Sequence, residues 1–568
     1  MTLSPTARTG GHVLADQLKV LGVDTVFCVP GESFLALLDG LYTHDDSIKT
    51  VVCRQEGGAA NMADAYAKLT GKPGICAVTR GPGATNASNG VHTAFQDSTP
   101  MIVLIGQVGR DMRDREAFQE MDYRQVFGQM AKWVAQIDDA ARIPEYLARA
   151  WSTALSGRPG PVVLALPEDM LTDVVAVQDL TPHPIPQPAP EPHAITALGA
   201  RLAQAEKPLM LVGGPGWSAE TGQAATAFAA RMGIPVATTF RCQDYVDNDH
   251  PNYVGVLGIA PLPALRKCIA EEVDLLIVVG ARLGEMTTQG YTLIDIPEPQ
   301  MELVHVHPGA SDLGHVYAPS LAIHASARAF FDAVTALPQD ADNRRRADWI
   351  EGLRAAYCAF QDPTDVPGPL NMAHVIRHIT QEMPKDTILT NGAGNYTVWP
   401  HRFHRHCRFR TQLAPTSGSM GYGVPAAVAA KITDPQRPVI AIAGDGCFMM
   451  SAQEMATARQ YGADVIYLVV NNGMLGTIRM HQERTYPGRK MATDLFNPDF
   501  VAYAAAFGIG GERVTATDEF PAALARARAA DGGYLIELVV DAEALTPTQS
   551  LSAATEQGRA AQAGGPGS

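Results

Sequence analysis

Short apolar runs recur along this chain, and each is followed by a stretch with helical spacing. ICAVT (75–79), MIVLIG (101–106) and VVLAL (162–166) come first; LMLVGG (209–214), LLIVVG (275–280) and LVHVH (303–307) follow; VIAIAG (439–444) and VIYLVV (465–470) come last. A strand with one face in water alternates apolar and polar residues. These runs barely alternate, so both faces are buried, as in parallel sheets covered by helices. The expected fold class is α/β, with three flavodoxin- or Rossmann-like domains whose parallel sheets are covered by helices. In such sheets ligands bind outside the carboxyl ends of the strands.

The 568 residues exceed what one core can serve. The Pro-dense stretch LTPHPIPQPAPEPH (180–193) reads as an extended surface linker, and LPQDADNRRRADW (337–349) and QDPTDVPGPLN (361–371) read as further breaks. Domains are therefore expected over 1–180, 190–340 and 365–550, each of ordinary size. The small, polar residues 553–568 read as a disordered tail.

A net charge of −15 argues against nucleic acid as a partner. The basic cluster HRFHRHCRFR (401–410) is a local exception and reads as a solvated surface strand or loop. The eight cysteines are scattered and none forms C-x-x-C, so neither a zinc site nor a disulfide framework is indicated. The N-terminus lacks the apolar core of a signal peptide, and no apolar run approaches the ~18 residues of a membrane span. No membrane contact and a cytoplasmic location are expected.

Chemistry enters at the end of one buried run. VIAIAGDGCFMM places Asp445 between Gly444 and Gly446, where the strand over 439–443 ends. By itself this reads as a turn or a helix cap. The next strand ends VVNNGM (469–474). The stretch between them, SAQEMATARQYG (451–462), reads as a helix opened by a Ser451–Glu454 capping box and closed by Gly462. One βαβ unit then brings Asp445 and Asn472 to neighbouring loops at one sheet edge. Two hard oxygen ligands suit Mg2+, which completes its octahedron with phosphate oxygens and water. Glycines let a diphosphate approach the backbone, and a helix N-terminus favours that anion.

GDG followed 27 residues later by the second Asn of NN resembles the cofactor signature of thiamine diphosphate (ThDP) enzymes. The resemblance runs over about residues 10–550 and is closest to the large catalytic subunits of the acetolactate synthase branch. It rests also on VFCVPGESFLALLDGL (26–41), VVCRQEGGAANMADAYAKLTGKPGI (51–75), GPGATNASNGVHTAFQDSTPMIVLIGQV (81–108), EAFQEMD (116–122), GRPGPVVLALPEDM (157–170), NGAGNYTVW (391–399) and GSMGYGVPAA (418–427).

The resemblance implies Mg2+ ligation by the Asp445 carboxylate, the Asn472 side-chain oxygen and the Met474 backbone carbonyl. It implies that Pro30, Gly31, Gly418, Gly444 and Gly446 lie around the cofactor, with Gly394, Asn395 and Tyr396 beside its diphosphate. Glu56 would hydrogen-bond N1′ of the aminopyrimidine and favour the tautomer whose N4′ removes the C2 proton. The resulting ylid attacks a carbonyl, and the cofactor then serves as an electron sink. Met420 would lie under the cofactor and hold its V-shape, and Phe118 and Gln119 would be active-site residues. Glu56 and the diphosphate elements would come from different chains, so a homodimer or homotetramer is implied. The segments 1–180, 190–340 and 365–550 would be the pyrimidine-binding, central and diphosphate-binding domains.

Several positions depart from the family pattern. Met286 stands where acetolactate synthases carry an arginine that grips the carboxylate of the second 2-keto acid, and such a change removes a bidentate partner. Arg479 is the candidate substitute. His481 stands where they carry a tryptophan that shapes the acceptor pocket. Gln55 and Gly57 flank Glu56 where His and Gln are usual. VGVLGIAPLP (254–263) replaces a glycine-histidine loop, and His305 and His307 replace an acidic pair, so FAD is not expected. The two histidines share a strand face and read as a sheet-edge pair before a metal site.

The expected activity is that of a ThDP- and Mg2+-dependent 2-keto acid decarboxylase/carboligase. It would form a hydroxyalkyl-ThDP carbanion that adds to an acceptor carbonyl, with small 2-keto acids or aldehydes as substrates. Alternatives in the same fold are a simple 2-keto acid decarboxylase, with His92 and His481 relaying protons, and an acyl-CoA or sulfoacetaldehyde-type enzyme. An inactive ThDP-binding regulatory homologue is the non-enzymatic alternative; the retained Glu56 argues against it.

Overall fold

A computed structural model describes residues 6–338 and 343–563. By packing, the chain divides into two units. The first holds the chain up to Pro186 with Pro415–Pro435 and Ser451–Ala463; the second holds Gln187–Ala414, Gln436–Met450 and the chain from Asp464.

The first unit is built on six parallel strands in the spatial order Lys49–Val52, Thr25–Cys28, Gly74–Val78, Met101–Gln107, Pro161–Pro167 and Trp133–Gln136. Met101–Gln107 and Pro161–Pro167 are buried at every residue, as their unbroken apolar character requires. The helix Glu56–Thr70 presents small residues to its neighbours and packs against the helices Pro82–Asp97 and Gly423–Thr433.

The second unit holds two further parallel sheets of six strands. One runs Tyr253–Val256, Val236–Thr238, Pro208–Val212, Leu275–Val279, Glu302–His307 and Leu321–His324. Numbered along the chain this is the order 3-2-1-4-5-6, the Rossmann arrangement. The other runs Gln412–Leu413, Ile388–Asn391, Val439–Gly444, Ile466–Asn471, Tyr534–Val539 and Gly510–Val514. Its order, 2-1-3-4-6-5, is also that of the first unit's sheet. The α/β expectation therefore holds, and the apolar runs all lie on strands. In the last sheet, neighbouring strands Ile388–Asn391 and Val439–Gly444 continue to opposite sides. In sheets of this kind, the carboxyl ends of strands at such a reversal are the usual place for a ligand.

Four expectations need correction. No helix opens at Ser451; Asp445–Met449 is already helical, and Met455–Tyr461 follows a short 3-10 turn and ends, as expected, on Gly462 in the left-handed region. The cluster over 401–410 is no solvated loop. It begins in the helix Val398–Phe403, and His401, Arg402, His404 and His406 are buried. Burial pushes the pKa values of His401 and His404 down to about 3, so neutral imidazoles occupy that interior. The strand carrying His305 and His307 is not at the sheet edge, because Leu321–His324 lies outside it. The tail is a helix over Leu551–Ala563. Ala554 is buried beside Met474, Met480 and Leu545, and a Cβ on Gly558 would meet the Glu483 carbonyl oxygen at 2.1 Å. Small residues on one face allow that close docking. Residues 564–568, and 339–342 in the second break, lie outside the described residues. No helix among the described residues is long and apolar enough to cross a membrane.

Candidate functional site

The candidate residues fall into two groups, one in each unit. In the second unit, Asp445 is the first residue of the helix Asp445–Met449, at the carboxyl end of the strand Val439–Gly444. Its Oδ1 accepts from the Gly446 amide at 2.8 Å. Its Oδ2 accepts from the Gly473 amide at 2.9 Å and from Asn497 Nδ2 at 2.8 Å. Asn472 Oδ1 accepts from the Met474 amide at 3.2 Å. The loop is held by an antiparallel bridge between Met474 and Asp494.

Asp445 is only 3% exposed, and burial pushes its carboxyl pKa up while these neutral donors draw it back. No basic side chain forms an ion pair with it among the described residues. A buried carboxylate compensated only by dipoles favours a cation beside it. Carboxylate, amide and carbonyl oxygens are hard donors, so the set fits Mg2+.

The loop after Ile388–Asn391 lies next to it. The Asn395 amide donates to Thr477 Oγ1 at 2.8 Å, and Thr477 donates to Asn395 Oδ1 at 2.9 Å. Tyr396 accepts from the Gly392 amide at 3.0 Å. Gly394 has φ +140°. A Cβ on Gly444 would lie 2.9 Å from the Tyr396 ring, so that glycine admits the neighbouring loop. The structure thus brings Gly394, Asn395, Tyr396, Gly444, Asp445, Gly446, Asn472 and Met474 to the carboxyl end of one sheet. His481 is exposed on the helix Gly476–Thr485. Arg479 on the same helix pairs with Glu483 at 2.8 Å, and Met286 is 39% exposed.

In the first unit, Glu56 is the first residue of the helix Glu56–Thr70, and Gln55 is its N-cap. Gln55 Oε1 accepts from the Gly58 amide at 3.1 Å. A Cβ on residue 57 would lie 2.7 Å from that oxygen. The two departures flanking Glu56 are therefore linked: the glutamine folds back over the glycine. Glu56 Oε2 accepts from Asn86 Nδ2 at 2.9 Å.

The Phe118–Gln119 loop is anchored by Arg80, whose Nε donates to the Phe118 carbonyl at 3.2 Å and whose Nη1 meets Glu168 at 2.8 Å. Phe118 is 71% exposed, and Gln119 has φ +66°. Pro30 and Gly31 follow the strand Thr25–Cys28. Gly418 is exposed and Met420 half-buried before the helix Gly423–Thr433. Asn89 Nδ2 donates to Ser419 Oγ at 3.1 Å.

The expected capping box does not form. Ser451 Oγ donates to the Gly421 carbonyl at 2.6 Å, and Glu454 accepts from the amides of Arg54 and Gln55. Both side chains serve distant segments instead of each other. Asn86, Glu454 and Asn497 are contacts that sequence reasoning missed. Asn86 lies within the quoted GPGATN, and Asn497 in FNPDF (496–500), where Asn-Pro reads simply as a turn.

Residues 8–126 match the N-terminal TPP binding domain of thiamine pyrophosphate enzymes, 195–334 match the central domain, and 392–538 match the C-terminal TPP binding domain. The acetolactate synthase isozyme 2 large subunit of Escherichia coli (strain K12) is 31% identical over 538 residues, which cover 94% of this chain and 95% of that protein. The acetolactate synthase large subunit of Corynebacterium glutamicum is 32% identical over 95% of this chain and 88% of its own length. That of Parasynechococcus marenigrum is 32% identical over 90% and 84%.

Proposed function

The chain belongs to the thiamine diphosphate-dependent enzymes, in the branch of the acetolactate synthase large subunits, and on that premise we propose that it decarboxylates a small 2-keto acid and joins the product to an acceptor carbonyl. The observation that carries the cofactor half of this reading is the buried Asp445 carboxylate, met only by neutral donors and flanked by Asn472 and Met474 at the reversal point of its sheet.

Asp445, Asn472 and the Met474 carbonyl would hold Mg2+, with Gly394–Tyr396 beside the diphosphate. Bound ThDP would supply a nucleophilic carbon and an electron sink. Glu56 would hold a proton at N1′ of the aminopyrimidine, with Asn86 orienting its carboxylate. Met420 would lie under the cofactor. Phe118 and Gln119 on their anchored loop, and His481, would line the substrate side. Glu56 of one chain would serve the diphosphate elements of a second, in a cytoplasmic homodimer or homotetramer. The three segments 1–180, 190–340 and 365–550 would be its pyrimidine-binding, central and diphosphate-binding domains, and the central one would hold no FAD.

With Met286 in place of an arginine and Arg479 held by Glu483, the acceptor side lacks a free guanidinium at both candidate positions. That favours an acceptor without a carboxylate, such as an aldehyde, over a second 2-keto acid.

The test supplies ThDP, Mg2+ and a panel of 2-keto acids, with and without aldehydes, and identifies CO2 and ligation products. Glu56→Gln should release CO2 at least about a hundredfold more slowly than the wild type. Equal rates would remove Glu56 from the chemistry, and no CO2 from any donor would overturn the decarboxylase reading.

A further inference from the structure

One face of the segment Glu454–Tyr461 is wholly engaged with the polypeptide that leads into Glu56. Glu454, Thr457 and Tyr461 are spaced three and four apart, so they form a single stripe. Tyr461 OH accepts from the Val52 amide at 2.8 Å and donates to the Thr50 carbonyl at 3.0 Å. Lys49–Val52 is the edge strand of its sheet, and this hydroxyl occupies its open side. Glu454 Oε1 accepts from the amides of Arg54 at 3.0 Å and Gln55 at 3.1 Å, and its Oε2 accepts from Thr457 Oγ1 at 2.6 Å.

Glu454 is fully buried. The Arg54 guanidinium turns instead to the Val52 carbonyl and Gln460. The carboxylate therefore sits in the interior on backbone amides and one hydroxyl. Space for it comes from Gly58, since a Cβ there would lie 2.5 Å from Glu454 Oε1. A glycine in the first turn of a helix weakens that helix. Here it admits a buried acid beneath the turn that presents Glu56.

We propose that Glu454 is a positioning residue for Glu56: by binding the amides of the two preceding residues it fixes the strand-to-helix turn and thereby the aim of the Glu56 carboxylate. This rests on the reading that Glu56 acts on the cofactor. Glu454 lies nine residues after Asp445, so one short stretch would carry both a metal ligand and the support of the acid.

The test compares the full-length wild type with E454A, G58A and E56Q. Amide hydrogen exchange is measured on the protein alone, and exchange of the ThDP C2 proton for deuterium on the protein loaded with ThDP and Mg2+. Ala at 454 removes the acceptor of both amides, and Ala at 58 displaces the carboxylate while leaving both acids in place. Both variants should lose exchange protection at Arg54 and Gln55. Both should slow C2 exchange by about a hundredfold, the effect of misplacing a reacting group by about 1 Å. Both should keep the thermal stabilisation given by ThDP plus Mg2+, which a general loss of structure would not. Wild-type C2 exchange in either folded variant would overturn the proposal. If E454A fails to fold, G58A still decides it. Unchanged C2 exchange in E56Q would instead overturn the parent reading of Glu56.

Discussion

The side-chain amide of Asn497 bridges two acceptors, Asp445 Oδ2 at 2.8 Å and Asn471 Oδ1 at 3.0 Å. It orients the carboxylate without adding charge. With Asp445 as a metal ligand, a partner of this kind affects metal affinity nearly as a ligand does. Asn497→Ala should weaken Mg2+ binding by about 10–100-fold, read as the Mg2+ midpoint of ThDP-dependent thermal stabilisation. Asp445→Ala should abolish that stabilisation altogether. A full shift in Asp445→Ala would remove the metal from this site.

Asn86 stands to Glu56 as Asn497 stands to Asp445, a neutral donor on one carboxylate oxygen. Asn86→Ala should lower kcat by about tenfold through lost orientation, with KM for the 2-keto acid little changed. A rise in KM alone would assign Asn86 to substrate binding instead.

The strands were legible because the signal is local: a run such as LLIVVG can be satisfied only between two covering layers. GDG and NN were legible because a single βαβ unit makes sequence spacing a spatial relation. Ser451 and Glu454 misled for the opposite reason. Their spacing satisfies a local cap, but their partners, Gly421 and the 54–55 turn, lie far away in the chain. The 401–410 cluster misled because its histidines count with its arginines as basic, whereas an imidazole can be buried neutral. In Leu551–Ala563 the average polarity concealed one face of small residues matched to a neighbouring helix.

Purified protein should show no flavin absorbance. His305 and His307 are buried on the strand Glu302–His307, where the family's flavin-binding members carry acids. His305 Nε2 is engaged by the Ala281 carbonyl at 2.8 Å, and burial lowers its pKa. A neutral imidazole in that bond offers no carboxylate to a ribose hydroxyl. Stoichiometric FAD released on denaturation would refute this.

Asp244 makes stability depend on pH. It is buried, and Oδ2 accepts from the amides of Thr411 at 2.9 Å and Gln412 at 3.1 Å, while Oδ1 has no hydrogen-bond partner among the described residues. Burial pushes its carboxyl pKa up to about 6 from 3.8. Between those values the folded chain keeps a proton that the unfolded chain releases, so stability from this group is full in acid and falls as pH rises. Above the folded value the loss levels off at roughly 3 kcal/mol. Asp244→Asn retains a carbonyl oxygen for both amides and removes the charge. Its melting temperature should exceed that of the wild type at neutral pH, with the gap closing as the buffer is taken below pH 4. A gap independent of pH would mean that this carboxyl does not titrate in the folded protein over that range.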